Sequence, residues 1–174
     1  ARGTIAANTT LIHMPAHVHL DNKNAFRLLN YPHAQHASAA QVLALYLLMF
    51  REDPTAFWYP YLQLLPTTCQ MALCWNDTRL NTIPTLLERL RWPRLQRQSG
   101  TFAKTMGVGE EAFRIAMSIV LSRAWSLQDD VLLLAPYVDF INHDPKGDLL
   151  TFEVTNHTFT GTRQTTSVAY HDGD

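Results

Sequence analysis

Two groups of polar residues interrupt otherwise apolar sequence near the end of this chain. Ser122 and Arg123 lie within Leu121-Ser122-Arg123-Ala124-Trp125, and Asp139, Asn142 and His143 close the run that begins Leu132-Leu133-Leu134-Ala135-Pro136-Tyr137. A carboxylate accepts hydrogen bonds, a side-chain amide both donates and accepts, and a guanidinium presents a fixed fork of donors. Each group also has an ordinary structural use. Asn142 can cap a turn, Asp139 can shape one, and Arg123 sits favourably at a helix C-terminus. Among the histidines, His13, His17 and His19 cluster and His33 lies three before His36. No cysteine or carboxylate accompanies them at ligand spacing, so no metal site is predicted.

The composition narrows the function classes. With 174 residues, 47% of them hydrophobic, the chain can bury a real core and is expected to form one domain. A net charge of -1 gives no global basic field for nucleic acid. Local patches remain open. Arg89, Arg91, Arg94 and Arg97 are read first as a solvated helix face, with contact to RNA or an acidic partner as the weaker alternative. Cys69 and Cys74 are the only cysteines. They are expected to be free, buried and small, and so to point to an intracellular, reducing compartment. No apolar run approaches the roughly 20 residues that span a bilayer. The chain opens inside what reads as a strand and without methionine, as expected of a processed or partial product.

The elements that must hold these residues follow from periodicity. Thr4–Ala7 and Thr10–Met14 read as short strands. Ser38 with Gln41 forms a capping-box signature that opens a helix apolar on nearly every side, which Asp53-Pro54 ends. The aromatic stretch from Phe57 to Pro66 reads as a packed knuckle, and Trp58, Tyr59, Tyr61 and Trp75 read as core. Leu80 to Leu95 leans helical, limited by Pro84 and Pro93, and Arg97 to Gly109 reads as a polar surface loop. Glu110 and Glu111 suit the start of a helix running to Trp125. Beyond it the pattern turns to β, with Leu150, Phe152 and Val154 alternating with Thr151, Glu153 and Thr155, and partner strands at 158–160 and 167–170.

This order, with the Asp139-x-x-Asn142-His143 and Ser122-Arg123 motifs, resembles the SET-domain protein methyltransferases, in the split-SET branch typified by the Rubisco large-subunit lysine methyltransferase. Arg2-Gly3-Thr4-Ile5-Ala6 is similar to that family's opening Gly-x-Gly motif, and Leu43–Leu48 with Phe57–Pro66 is similar to the start of its helical insert. The resemblance implies an α+β fold, a SET-domain β-fold of short strands split by a helical insert, with an incomplete C-terminal part. Residues 1–37 would supply the N-terminal strands, 38–125 the insert and connecting helix, and 126–174 the C-terminal portion.

The implied cofactor is S-adenosylmethionine, whose sulfonium, zwitterionic end and adenine need acceptors, a carboxylate donor and a shaped wall. By resemblance, Arg2 and Gly3 wrap its methionine end, and Ser122 and Arg123 lie near its carboxylate. Asp139 holds the backbone bend or accepts from the ammonium, and the Asn142 side chain with the His143 backbone meets the amino acid end and the adenine. Three departures accompany the matches. Ala1 stands where the first glycine of the opening motif would be, and Phe152 lines the substrate channel where the plant enzyme has tyrosine. The catalytic tyrosine, which follows a glycine turn resembling Asp172-Gly173, falls beyond Asp174. The implied function is protein-lysine methylation by this chain or a longer protein. The other reading is a catalytically inactive SET-like subunit of a larger, organellar ribonucleoprotein assembly. A protein substrate or partner protein is implied either way.

Overall fold

The computed structural model describes residues 3–4, 10–127, 130–140, 150–155, 158–163 and 169–170. In chain order the strands and α-helices are β1 (Gly3–Thr4), β2 (Thr10–Pro15), β3 (Leu20–Asp21), α1 (Asn22–Leu29), α2 (Ala39–Phe50), α3 (Tyr59–Leu64), α4 (Asp77–Leu80), α5 (Leu86–Thr105), α6 (Glu110–Arg123), β4 (Trp125–Ser126), β5 (Leu132–Leu134), β6 (Leu150–Thr155), β7 (Thr158–Arg163) and β8 (Ala169–Tyr170). The chain divides into two compact units. Residues 1–19 and 135–174 form a β unit, and residues 20–134 form a largely helical unit.

In the β unit the strand order is β2-β7-β6, all antiparallel, with a separate β1-β8 pair. The alternation read from 150 to 155 becomes β6, and β7 closes a hairpin on it with Thr155 opposite Thr158. The register of β2 on β7 shifts between Thr10 and Ile12 and runs on to Pro15 opposite Thr158. Because β2 stands at the edge among the described strands, Pro15's missing N–H costs no bond to another of them.

The helical unit holds a second small sheet, order β3-β5-β4. Asp21 ends β3 and caps α1, one carboxylate oxygen accepting from the Asn24 amide at 2.7 Å and the other from its side chain at 2.8 Å. Ser38 and Gln41 form the reciprocal capping box that opens α2. That helix is buried from Val42 to Leu47, so its all-round hydrophobicity is satisfied inside the unit. Tyr46 stacks on Phe50 at 4.5 Å and meets Trp58 edge-on at 5.9 Å. Burial and then the Asp53 carboxylate push its hydroxyl up to about 12, which keeps it neutral. In the aromatic knuckle, Tyr61 and Leu62 are buried, whereas Phe57 is exposed and Trp58, Tyr59 and Trp75 are half-buried. Arg51 ties the knuckle to α2 by donating to the carbonyls of Leu65 at 2.6 Å and Pro66 at 3.0 Å.

Two expectations fail for stated reasons. Pro93 does not stop its helix, and the predicted loop from Arg97 is helical as far as Thr105. An internal proline costs about 3 kcal/mol through its missing donor, but tertiary contacts offset that cost here. Gly100 lets α5 approach α6 so closely that a Cβ there would lie 2.9 Å from Glu110 Oε2. Phe102 meets Phe113 at 5.2 Å, and Lys104 pairs with Glu110 at 3.1 Å. The stretch reads as polar because its buried contacts come largely from the small residues Ser99, Gly100 and Ala103, with Phe102 the large apolar one. The loop shrinks to a helix end in which Gly107 takes a φ of 69° while its amide bonds the Lys104 carbonyl.

Cys69 and Cys74 are likewise not free. They form a disulfide, with Cα atoms 6.0 Å apart. The tight turn Ala72–Cys74 reverses the chain over four intervening residues and brings the sulfurs together. These residues therefore give no argument for a reducing compartment. The closed loop carries the Ala72 carbonyl, and the residue just after it the Trp75 carbonyl, which accept from the Gln96 side chain on α5 at 3.4 and 2.8 Å. Reducing the disulfide is expected to lower stability by about 2 kcal/mol through loop-closure entropy. Urea unfolding with and without dithiothreitol measures this, and unchanged midpoints would refute it.

Candidate functional site

In the helical unit, the candidate residues Ser122 and Arg123 end α6. The helix starts with Glu110 and Glu111 at its positive end and buries Phe113, Ala116, Met117, Ile119 and Val120. Burial of this face fixes its rotation, and with it the direction of its last turn. Ser122 Oγ donates back to the Ser118 carbonyl at 2.8 Å and the Ile119 carbonyl at 3.1 Å. Its proton is therefore used inside the helix, leaving only lone pairs for anything outside. Arg123 is half-exposed and is the last helical residue.

Directly after Arg123, β4 pairs with β5, Trp125 opposite Leu133 and Ser126 opposite Leu132. The other edge of β5 pairs with β3, Leu134 opposite Leu20 and Leu133 opposite Asp21. Asn22 completes the arrangement over a large sequence distance. Its Oδ1 accepts from the Leu132 amide at 2.9 Å, and its amide nitrogen reaches the Asp130 carbonyl at 3.5 Å. Sequence reasoning missed Asn22. The signal that marks it is Asp21-Asn22 at the start of a helix, which announces a cap and not a bond 110 positions away.

In the β unit, Asp139 lies in the turn Val138–Phe140, where its amide and that of Val138 donate to the Ala135 carbonyl at 3.3 and 3.1 Å. It is half-buried, and its Oδ1 is shielded from solvent. The preceding Tyr137 takes a φ of 70°, a left-handed conformation uncommon for a bulky side chain, and one that collects at ligand sites. The sequence reading of Asp139 as a turn-shaping residue fits this position. Gly3 stands opposite Tyr170 in the β1-β8 pair, and Phe152 opposite Gly161 in the β6-β7 ladder. Arg2, Asn142 and His143 lie outside the described residues, as does the Asp172-Gly173 turn. Of the clustered histidines, His13 and His17 are exposed, while His19 turns inward to the Met14 carbonyl at 3.1 Å.

No protein-family model matches this sequence, and a sequence search of characterised proteins finds no match. Structural comparison does. The SET domain of LSMT bound to lysine and AdoHcy superposes with a TM-score of 0.77 at 18% identity, covering 97% of this chain and 43% of that one. The fold is that of a SET domain. A SET domain of LSMT bound to MeLysine and AdoHcy gives 0.77 at 17% identity over 100% of this chain and 45% of the other. Rubisco LSMT bound to AdoMet gives 0.72 at 17% over 97% and 42%. The chain thus spans less than half the length of the SET proteins it matches. The expected α+β SET fold, short strands around a helical stretch, is the one observed.

Asn22 is the side chain that joins the start of α1 to β5. Replacing it with alanine removes both bonds and is expected to cost about 1–2 kcal/mol. Urea denaturation measures the loss, and a variant as stable as the parent would show that β5 is held without it.

Proposed function

We propose that this chain is the SET portion of a protein-lysine methyltransferase of the split-SET branch, using S-adenosylmethionine. The observation that carries the reading is the likeness to SET structures over almost the whole chain, coupled to the Asp139-x-x-Asn142-His143 motif. The donor set suits the cofactor's zwitterionic end. Arg123 brings a guanidinium for its carboxylate, and Asp139 brings an acceptor for its ammonium, or holds the bend that presents the motif. The Asn142 amide and the His143 backbone would meet the amino acid end and the adenine. Arg2 and the backbone at Gly3 would lie along the methionine end. Ser122, with its proton committed to the α6 carbonyls, would contribute as an acceptor and spacer and not as a donor.

When bound, the cofactor supplies an electrophilic methyl group. The protein's share is alignment of a neutral amine with that methyl carbon and exclusion of water. Phe152 would wall the channel without adding a hydroxyl. That same residue favours the second reading, a silent SET-like subunit of a larger assembly, because a phenyl ring cannot hydrogen-bond the incoming amine. No helix among the described residues is long and apolar enough to cross a membrane, and a protein partner or substrate suits both readings.

Calorimetric titration with S-adenosylmethionine tests the proposal. Saturable binding is expected for the parent, loss of binding for Asn142→Ala, and a weakening of about 1.5–3 kcal/mol for Arg123→Ala through the lost charge-assisted bonds. Absence of heat at about millimolar cofactor would sink it.

A further inference from the structure

The first half of α5 carries a surface that the cofactor reading does not use. At about 3.6 residues per turn, Leu86, Leu87, Leu90, Arg91, Arg94 and Arg97 fall on one strip, and all six are exposed. The leucines are 57%, 77% and 62% exposed, a high price for three large apolar side chains in consecutive turns. The opposite face is the one the protein buries. Ser99, Gly100 and Ala103 are buried, and Gln96 bonds the Trp75 carbonyl, so the helix cannot roll to hide its leucines. Arg91 reaches Glu88 at 3.2 Å. Arg94 and Arg97 have no carboxylate partner among the described residues.

We propose that this strip is a docking surface for an acidic amphipathic segment of a partner protein. Its apolar and cationic parts are separated along the helix axis, leucines in the first turns and arginines in the next, over about 16 Å at about 1.5 Å per residue. A bilayer surface favours the other arrangement, with apolar residues along the centre of one face and cations flanking them. On a membrane, Arg94 and Arg97 would be pressed to the same depth as Leu86 and Leu90. RNA would engage the arginines through its phosphates and leave the leucines in water. A second copy of this chain could pair leucines with leucines about a two-fold axis, but it would leave Arg94 and Arg97 without a counter-charge. A peptide segment with apolar side chains at one end and carboxylates at the other satisfies both halves at once, apolar side chains filling the Leu86, Leu87 and Leu90 face and carboxylates pairing with Arg94 and Arg97.

Fluorescence anisotropy tests this with a labelled helical peptide of about 18 residues, carrying leucines along one face of its first half and glutamates along the same face of its second. A control peptide has the same composition with the two residue types interleaved. The ordered peptide is expected to bind at least about tenfold more tightly than the control, with affinity falling as salt is raised. Leu87→Asp with Leu90→Asp, and separately Arg94→Glu with Arg97→Glu, should each weaken it by about tenfold or more. A peptide with lysine replacing glutamate should recover affinity for the arginine variant. These residues are exposed, so unchanged thermal melts confirm that the variants fold. Equal binding of both peptides, no binding, or insensitivity to either variant pair would overturn the proposal. So would tighter binding to phosphatidylserine vesicles or to a polyuridine strand, or dimerisation in light scattering that the leucine variants abolish.

Discussion

The helical unit depends on one short strand. β5 is only three residues long, yet it is the middle of its sheet, bonded to β3 on one edge and β4 on the other, with Leu133 and Leu134 fully buried. A three-residue strand cannot hold itself in place, because few ladder bonds offset the entropy of fixing it. Burial of its leucines and the Asn22 bond to the Leu132 amide make up the difference. The consequence for function lies along the chain. Arg123 leads into this sheet through β4, and the turn bearing Asp139 begins four residues after β5 ends. A loose β5 would leave β4, and Arg123 just before it, without a defined direction.

The parts of this structure that could be read from sequence are those governed by local rules. The Ser38 and Gln41 cap, the acidic start of α6 and the alternation through Phe152 each depend on residues within a turn or a strand of one another, and each formed where its pattern stood. The Asp139-x-x-Asn142-His143 segment stands out in the sequence because its polar residues break an apolar run, although Asn142 and His143 lie outside the described residues. What escaped was tertiary. Pro93 and the polar stretch after it announce a helix end by local criteria, and tertiary contacts such as the Gly100–Glu110 approach and the Phe102–Phe113 contact keep the helix going. The Cys69–Cys74 bond depends on a turn whose residues, Met71 to Cys74, look unremarkable in isolation. Asn22 was hidden for the same reason, since its partner is far away in the chain.

Ser122 illustrates how structure refines a chemical assignment. As a residue type it is a donor and an acceptor, and near a carboxylate one would assign it the donor role. Inside the last turn of α6 its proton already serves two main-chain carbonyls, so the donor work at a carboxylate would fall on Arg123 alone. A site with one strong, half-exposed cation near a carboxylate is more sensitive to the loss of that cation than one with two donors sharing the load. The Tyr137 backbone, held in a left-handed conformation just before Asp139, suggests a turn whose shape matters more than its own stability.

The proposed cofactor residues are Ser122 and Arg123 in the helical unit and Asp139 and Asn142 further along the chain. A nitrogen-15 amide titration with S-adenosylhomocysteine, followed by nuclear magnetic resonance, tests this central assignment most directly. Saturable shifts are expected at the amides of Ser122 and Arg123 and at those of Asp139 and Asn142, with the α5 strip unmoved. Shifts confined to other parts of the chain, or no shifts at saturating ligand, would contradict the assignment.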